Sequence, residues 1–137
     1  MGEIRVKVLL SNVVDEKLAL RGDLDPAKVR RHEVDAVIDT GAVTSTMPPQ
    51  IADDLGLVSD SRTMAELANG ENVAVDIVDP VRFEIMGRRT TDEALILGNE
   101  VLIGQTVLEK LDLLADCARQ RLVPNPAHPD QPVRKIK

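Results

Sequence analysis

Ala36-Val37-Ile38-Asp39-Thr40-Gly41-Ala42 joins three consecutive aliphatic residues to a carboxylate, a hydroxyl and a glycine. The apolar triplet reads as a strand buried on both faces, and Gly41 marks the tight turn at which that strand breaks. Asp39 is therefore delivered to the mouth of a buried strand. A carboxylate flanked by aliphatic side chains loses hydration unless something pairs with it, and none of residues 40–49 is basic. The chain holds no second Asp-Thr-Gly or Asp-Ser-Gly. Chemistry that needs two facing carboxylates would have to take the second from another copy of the chain. The tripeptide alone equally suits a turn after an ordinary core strand, so the neighbouring segments decide between the two readings.

Composition narrows the function classes. A chain of 137 residues with 43 % apolar content suits one domain that builds a core without disulfides or metal. Phe83 is its single aromatic, so the core must be filled by interdigitated Val, Ile, Leu and Ala, and stacking on nucleic-acid bases is excluded. A net charge of −6 repels phosphate backbones and anionic lipid, although Arg134, Lys135 and Lys137 form a small basic end. Neither a nucleic-acid nor a membrane partner is expected. The lone Cys117 excludes an internal disulfide and a multi-cysteine zinc site, and is expected to be a buried, inert thiol. His32 and His128 lie in polar, loop-like surroundings, with no sign of service to a cysteine nucleophile. Residues 1–10 alternate charge with apolar residues and form neither a signal peptide nor a membrane span, which implies a soluble cytoplasmic protein. Gly2 raises the question of myristoylation, but Val6 stands where that motif wants Ser or Thr.

Ile4, Val6, Val8 and Leu10 alternate with Arg5 and Lys7 at the period of a half-buried strand, placed near an edge. A second weak strand is expected around residues 18–20, followed by a polar connection over 21–31. Asp23 and Asp25 in that connection lack the further ligands and the glycine of a calcium loop and read as solvated. Residues 33–38 form the strand that delivers Asp39, and residues 43–47 form a β-branched run ending at Pro48-Pro49, which opens a helix over 50–55 closed by Gly56. Segments 62–67 and 73–78 flank Asn69-Gly70, a pair suited to a type I′ turn, and predict a projecting hairpin. A second hairpin pairs 81–86 with 90–97 across Gly87-Arg88. Val101-Leu102-Ile103-Gly104 repeats the apolar-strand-to-glycine design, and Thr106 with Glu109 has the spacing of a capping box. Val107, Leu108, Leu111 and Leu114 are expected on one side of the helix that follows. Short strands over 113–117 and 121–123 then lead to a Pro-rich, charged tail, residues 124–137, expected to be mobile.

In this order the parts resemble the retropepsin-like aspartic proteases, the single-domain relatives of the pepsin fold. The resemblance covers residues 4–123 and rests on Ala36-Val37-Ile38-Asp39-Thr40-Gly41-Ala42, the hydroxyl pair Ser45-Thr46, the hairpin tip Ala68-Asn69-Gly70, Phe83-Glu84-Ile85-Met86-Gly87, and Leu102-Ile103-Gly104 before the last helix. It implies an all-β fold: an acid-protease barrel with a flap hairpin and one short C-terminal helix, formed by residues 1–123. It also implies an aspartic endopeptidase that works as a homodimer on peptide or protein substrates, without metal or cofactor. Asp39, Thr40 and Gly41 are then the catalytic loop, with Thr40 donating across the dimer. Ala42, Val37, Leu102 and Ile103 would line substrate pockets, and Ala68, Asn69 and Gly70 would cover the bound chain. Gly104 would be small because backbone passes close to it.

The chain also departs from the family pattern. Retroviral members usually carry an Arg directly after the second glycine and a loop acid that pairs with it, whereas Gln105 and Val43 stand in those places here. Both partners have changed together, so no orphan charge is buried, but the dimer loses that ion pair. The flap carries one glycine, Gly70, which predicts a stiffer tip. Two other readings follow: a peptide-binding or dimerisation module of the same fold that cuts slowly or not at all, and a monomeric β-barrel carrier.

Overall fold

The computed structural model describes residues 3–136; Gly2, where myristoylation was considered, lies outside them. The chain is mostly β. β1 (Arg5–Asn12) pairs antiparallel with β2 (Arg31–Ile38), from Arg5 opposite Val37 to Ser11 opposite Arg31. The second half of β1 also pairs with β5 (Asn72–Ile85), so β1 is an interior strand rather than one near an edge. The reason lies in its composition. The charged residues Arg5 and Lys7 occupy the half with one neighbour, while Leu10, Ser11 and Asn12, which carry no charge, are buried where strands flank both sides.

The remaining strands are β3 (Ser45–Met47), β4 (Ser59–Glu66), β6 (Arg88–Ile96) and β7 (Leu102–Ile103). They complete a seven-stranded sheet in the order β1-β2-β7-β3-β6-β5-β4, and the β1–β5 pairing brings that order back to its start. Among the described residues β4 alone hangs outside the ring, held only by β5. The core inside is aliphatic around the one aromatic: Phe83, Leu10, Met47, Leu55, Ile85 and Ile103 are all fully buried.

Several local expectations change. The weak strand at 18–20 is the end of a helix, α1 (Val13–Leu20). Asn12 starts it by accepting from the Asp15 N–H at 2.9 Å while its amide donates to the Leu55 carbonyl at 2.8 Å. Asp15 and Glu16 then place negative charge in the first turn, so capping outweighs the short apolar run. Asp25 caps a 3-10 turn (Pro26–Lys28) and Asp23 pairs with Arg21, which accounts for both acids of that loop. The helix after Pro48 is α2 (Pro49–Asp54), as the proline pair predicts.

The type I′ turn expected at the first hairpin forms at the second. At the first tip only Gly70 has positive φ (86°), its N–H bonds to the Leu67 carbonyl, and Leu67 N–H bonds to Glu71. That is a three-residue loop closed by a left-handed glycine, not a type I′ turn. The I′ signature belongs to the second hairpin, where Met86 (φ 52°) and Gly87 (φ 78°) form a two-residue loop between paired Ile85 and Arg88. The turn lies one residue earlier than Gly87-Arg88.

The last helix, α3 (Gln105–Leu111), is capped by Gly104 without any side-chain bond, so Thr106 and Glu109 form no capping box. Its first N–H groups are taken by another segment, described below. Val107, Leu108 and Leu111 are buried as expected, but Leu114 is 46 % exposed because the chain has already left the helix for β8 (Leu113–Asp116), which pairs with β9 (Arg121–Pro124). Cys117, expected to be buried, is exposed in the polar turn between β8 and β9. His32 lies in β2, not in a loop.

The segment after Pro124, expected to be a mobile tail, makes specific bonds to the body. Asp112, in left-handed conformation at the end of α3, accepts from the Asn125 side chain at 3.0 Å and from Val133 N–H at 3.1 Å, and meets His128 Nδ1 at 2.6 Å. The buried Arg88 donates to the carbonyls of Leu111, Asp112 and His128.

Candidate active site

The end of β2 at Ile38 is gripped from two sides. Ile38 N–H donates to the Ile4 carbonyl at 2.9 Å, while the N–H groups of Val37 and Asp39 donate to the carbonyls of Val101 and Ile103 at 3.0 and 2.9 Å. β7 runs parallel to β2, with Val37 beside Leu102 and Ile38 beside Ile103. Side chains alternate along a strand, so Ile38 and Ile103 face the core, whereas Val37, Asp39 and Leu102 share the other side. Asp39 then turns the chain. Ala42 N–H bonds back to its carbonyl at 3.2 Å, and Gly41 N–H donates to its Oδ1 at 3.1 Å. That backbone donor fixes the carboxylate's orientation without adding a positive charge.

The loop is clamped a second time from below. Ala42 and Val43 offer their carbonyls to the N–H groups of Gln105 and Thr106, at 2.7 and 3.1 Å, and the Ser45 hydroxyl accepts from Gly104 N–H at 2.9 Å. These are the acceptors that replace a side-chain cap on α3: the Asp39 loop caps the helix, and the helix holds the loop. Gly104 is the crossing point. A Cβ built there would lie 2.8 Å from the Thr44 carbonyl carbon, 2.9 Å from the Val43 oxygen and 3.0 Å from the Ala42 oxygen, all backbone atoms. The expectation that backbone passes close to Gly104 is met.

The structure therefore gathers Val37, Asp39, Thr40, Gly41, Ala42 and Leu102 at one loop crossing. Thr40 and Gly41 are exposed, and Asp39, Ala42 and Leu102 are half-buried. Val37 is 8 % exposed and Ile103 is fully buried in the core, so Ile103 supports the loop from behind and offers no surface of its own in the protomer. Ala68, Asn69 and Gly70 stand at the exposed tip of the β4–β5 hairpin, and no hydrogen bond joins them to the Asp39 loop among the described residues. Val43, beside the loop, leaves a large aliphatic side chain 72 % exposed.

Among the described residues no other carboxylate or basic side chain bonds to Asp39, and no cluster of His, Cys, Asp and Glu could hold a metal ion. The supports that sequence reasoning passed over are backbone carbonyls, those of Ile4, Ala42 and Val43, which leave no trace in residue type. Ser45 is different. It belongs to the hydroxyl pair Ser45-Thr46, and its burial at 0 % exposure is what reveals its role.

Residues 26–110 match the family model described as "gag-polyprotein putative aspartyl protease". The chain belongs to that aspartyl protease family. The family match spans both halves of the crossing, from the loop of Asp39 to the helix that clamps it. The aspartyl protease fold is also seen in the crystal structure of the retroviral protease-like domain of Ddi1 from Leishmania major, which superposes with a TM-score of 0.58 at 14 % identity over 92 % of this chain and 90 % of that one. No curated protein matches the sequence. Among the described residues of this family member, no helix is long and apolar enough to cross a membrane.

Proposed function

We propose that the protein is an aspartic endopeptidase active as a homodimer, with one Asp39 from each protomer. The observation that carries this reading is the state of Asp39 within a single chain: a half-buried carboxylate on a loop clamped by five backbone bonds, aimed by Gly41 N–H, and without an acidic partner among the described residues. Such rigidity is what positioning catalysis requires, and half a dyad has no use for it. The exposed Val43 beside the loop gives a second protomer an apolar side chain to cover.

With two copies facing across a two-fold axis, the carboxyls would stand about 3 Å apart and could not both ionise, as holds for aspartic-protease dyads in general. The ionised Asp39 takes a proton from a held water, whose oxygen attacks the scissile carbonyl carbon. The protonated Asp39 donates to the carbonyl oxygen, giving a tetrahedral diol. Transfer of a proton to the amide nitrogen then breaks the C–N bond. Apparent pKa values belong to the pair, not to either copy. Leu102, with the largely buried Val37 beside it, offers apolar contact to the substrate, and the Ala68-Asn69-Gly70 tip covers it. The working compartment we infer is the cytoplasm.

A second reading, a peptide-binding module without hydrolysis, is favoured by β4, an edge strand free to accept an extended chain by β-addition. Cleavage of a mixed peptide library from acid to neutral pH, with mass measured in solution, separates the two. Asp39→Asn should keep the dimer and the fold and lose hydrolysis. Equal digestion by wild type and variant would refute the peptidase; binding without cutting by both would favour the module.

A further inference from the structure

Away from Asp39, α1 and the 3-10 turn border an open cleft of about 300 Å³ together with residues of β2, β5 and β6. Its wall carries Lys17, Arg31, Arg82 and Arg89 with the single acid Glu16, on a protein whose net charge is −6. The register explains the gathering. Ser11 of β1 stands opposite Arg31 on one side and Arg82 on the other. Residues directly opposite in a sheet project from the same face, so Arg31 and Arg82 project together from backbones about two strand spacings, roughly 10 Å, apart. Arg89 joins them because it pairs with Glu84, two residues beyond Arg82 on the same face.

The charges do not cancel within the fold. Glu16 accepts from Arg82 Nε at 3.0 Å and from Arg89 at 3.3 Å, and Glu84 pairs with Arg89. Four cations against two carboxylates leave an excess of two positive charges. The side chains of Lys17 and Arg31 form no ion pair or hydrogen bond among the described residues, and Arg82 commits only its Nε, keeping its terminal nitrogens for the cleft. Glu16 and Arg82 are 12 % and 19 % exposed, so this part of the wall is preset and not a fringe of mobile surface chains. The cavity is at the small end of ligand-sized clefts, and Leu20 and Val29 add an apolar flank.

We propose that this cleft binds a phosphoryl group, as a small phosphate ester or a phosphorylated side chain. A dianion matches the excess of two charges, and planar guanidinium donors match its oxygens. A long polyanion is disfavoured by the net charge of the rest of the molecule. The site does not depend on Asp39 and stands or falls separately from the peptidase reading.

The test is calorimetric titration of the full chain at constant ionic strength with inorganic phosphate, in parallel with a phosphoserine peptide and its unphosphorylated counterpart. Wild type and Asp39→Asn should bind phosphate saturably. Lys17→Gln combined with Arg31→Gln removes only unpaired cations, should leave the ligand-free Tm unchanged, and should weaken binding by about tenfold or more. Binding of the phosphopeptide but not its counterpart assigns the ligand to a polypeptide, and binding of inorganic phosphate alone assigns it to a small ester; both support the site. No saturable binding, or equal binding by the double variant, overturns it.

Discussion

Replacing Gly104 by alanine tests the loop–helix crossing directly. Gly104 has φ −88° and ψ 173°, extended angles that alanine adopts freely, so only the space it occupies is at issue. The new methyl would meet three backbone atoms at 2.8–3.0 Å. To reach ordinary carbon contacts the 42–44 backbone would have to retreat by about 0.5 Å or more. The same backbone holds the 2.7 and 3.1 Å bonds to Gln105 and Thr106 N–H. A retreat of that size would take the longer of these bonds beyond about 3.5 Å, outside hydrogen-bonding range. Overpacking of about 1–3 kcal/mol and a weakened bond of about 1 kcal/mol give roughly 2–4 kcal/mol, or a fall in Tm of roughly 6–15 °C for a chain of this size. Gly87→Ala is the control: φ is 78° but no atom lies within 4 Å, so its cost is the left-handed backbone alone, about 1–2 kcal/mol. Thermal unfolding by circular dichroism reads both. The reasoning is refuted if Gly104→Ala loses no more stability than Gly87→Ala. Peptide hydrolysis by any Gly104→Ala protein that remains folded should fall by on the order of a hundredfold, because Asp39 rides on the displaced loop.

Ser45→Ala would leave the Gly104 N–H buried without its acceptor and should destabilise by about 1–3 kcal/mol, read from urea unfolding; an unchanged midpoint would show that the hydroxyl is dispensable. Asp15 is held below the ordinary aspartate range chiefly by the Arg30 guanidinium, with burial opposing and Arg30 N–H assisting. A lowered folded-state pKa stabilises above the unfolded value, about 3.9, and that contribution is lost as pH falls through the folded value. Asp15→Asn should therefore be less stable than wild type near neutral pH and approach it in acid; a Tm gap independent of pH would contradict this assignment. Asp112 is lowered too, first by the Asn125 side chain and then by Val133 N–H and His128, with burial opposing. Asp112→Ala should speed amide exchange at Val133 and residues around it while leaving the β1–β2 ladder protected; unchanged exchange would mean that the segment after Pro124 is held by other contacts.

Strand periods, the proline pair before α2 and the two apolar runs ending in glycine are local facts, and they were enough to place Asp39 and Gly104 in a retropepsin-like order. Single-residue chemistry in tight turns was less secure. Asn69-Gly70 carries the composition of a type I′ turn, yet that geometry formed at Met86-Gly87, where the register of a strand already fixed by Phe83 and Ile85 set the loop length. The capping pattern at Thr106 failed for a related reason: the helix found its acceptors in the carbonyls of a loop 63 residues away in sequence. Composition and motif thus specified which residues carry charge, bulk or freedom of backbone. Which backbone groups meet, that Ile103 is core while its neighbour Leu102 is not, and that Arg31 and Arg82 share a face were settled by packing, because main-chain donors and acceptors are the same at every residue and only the assembled fold selects their partners.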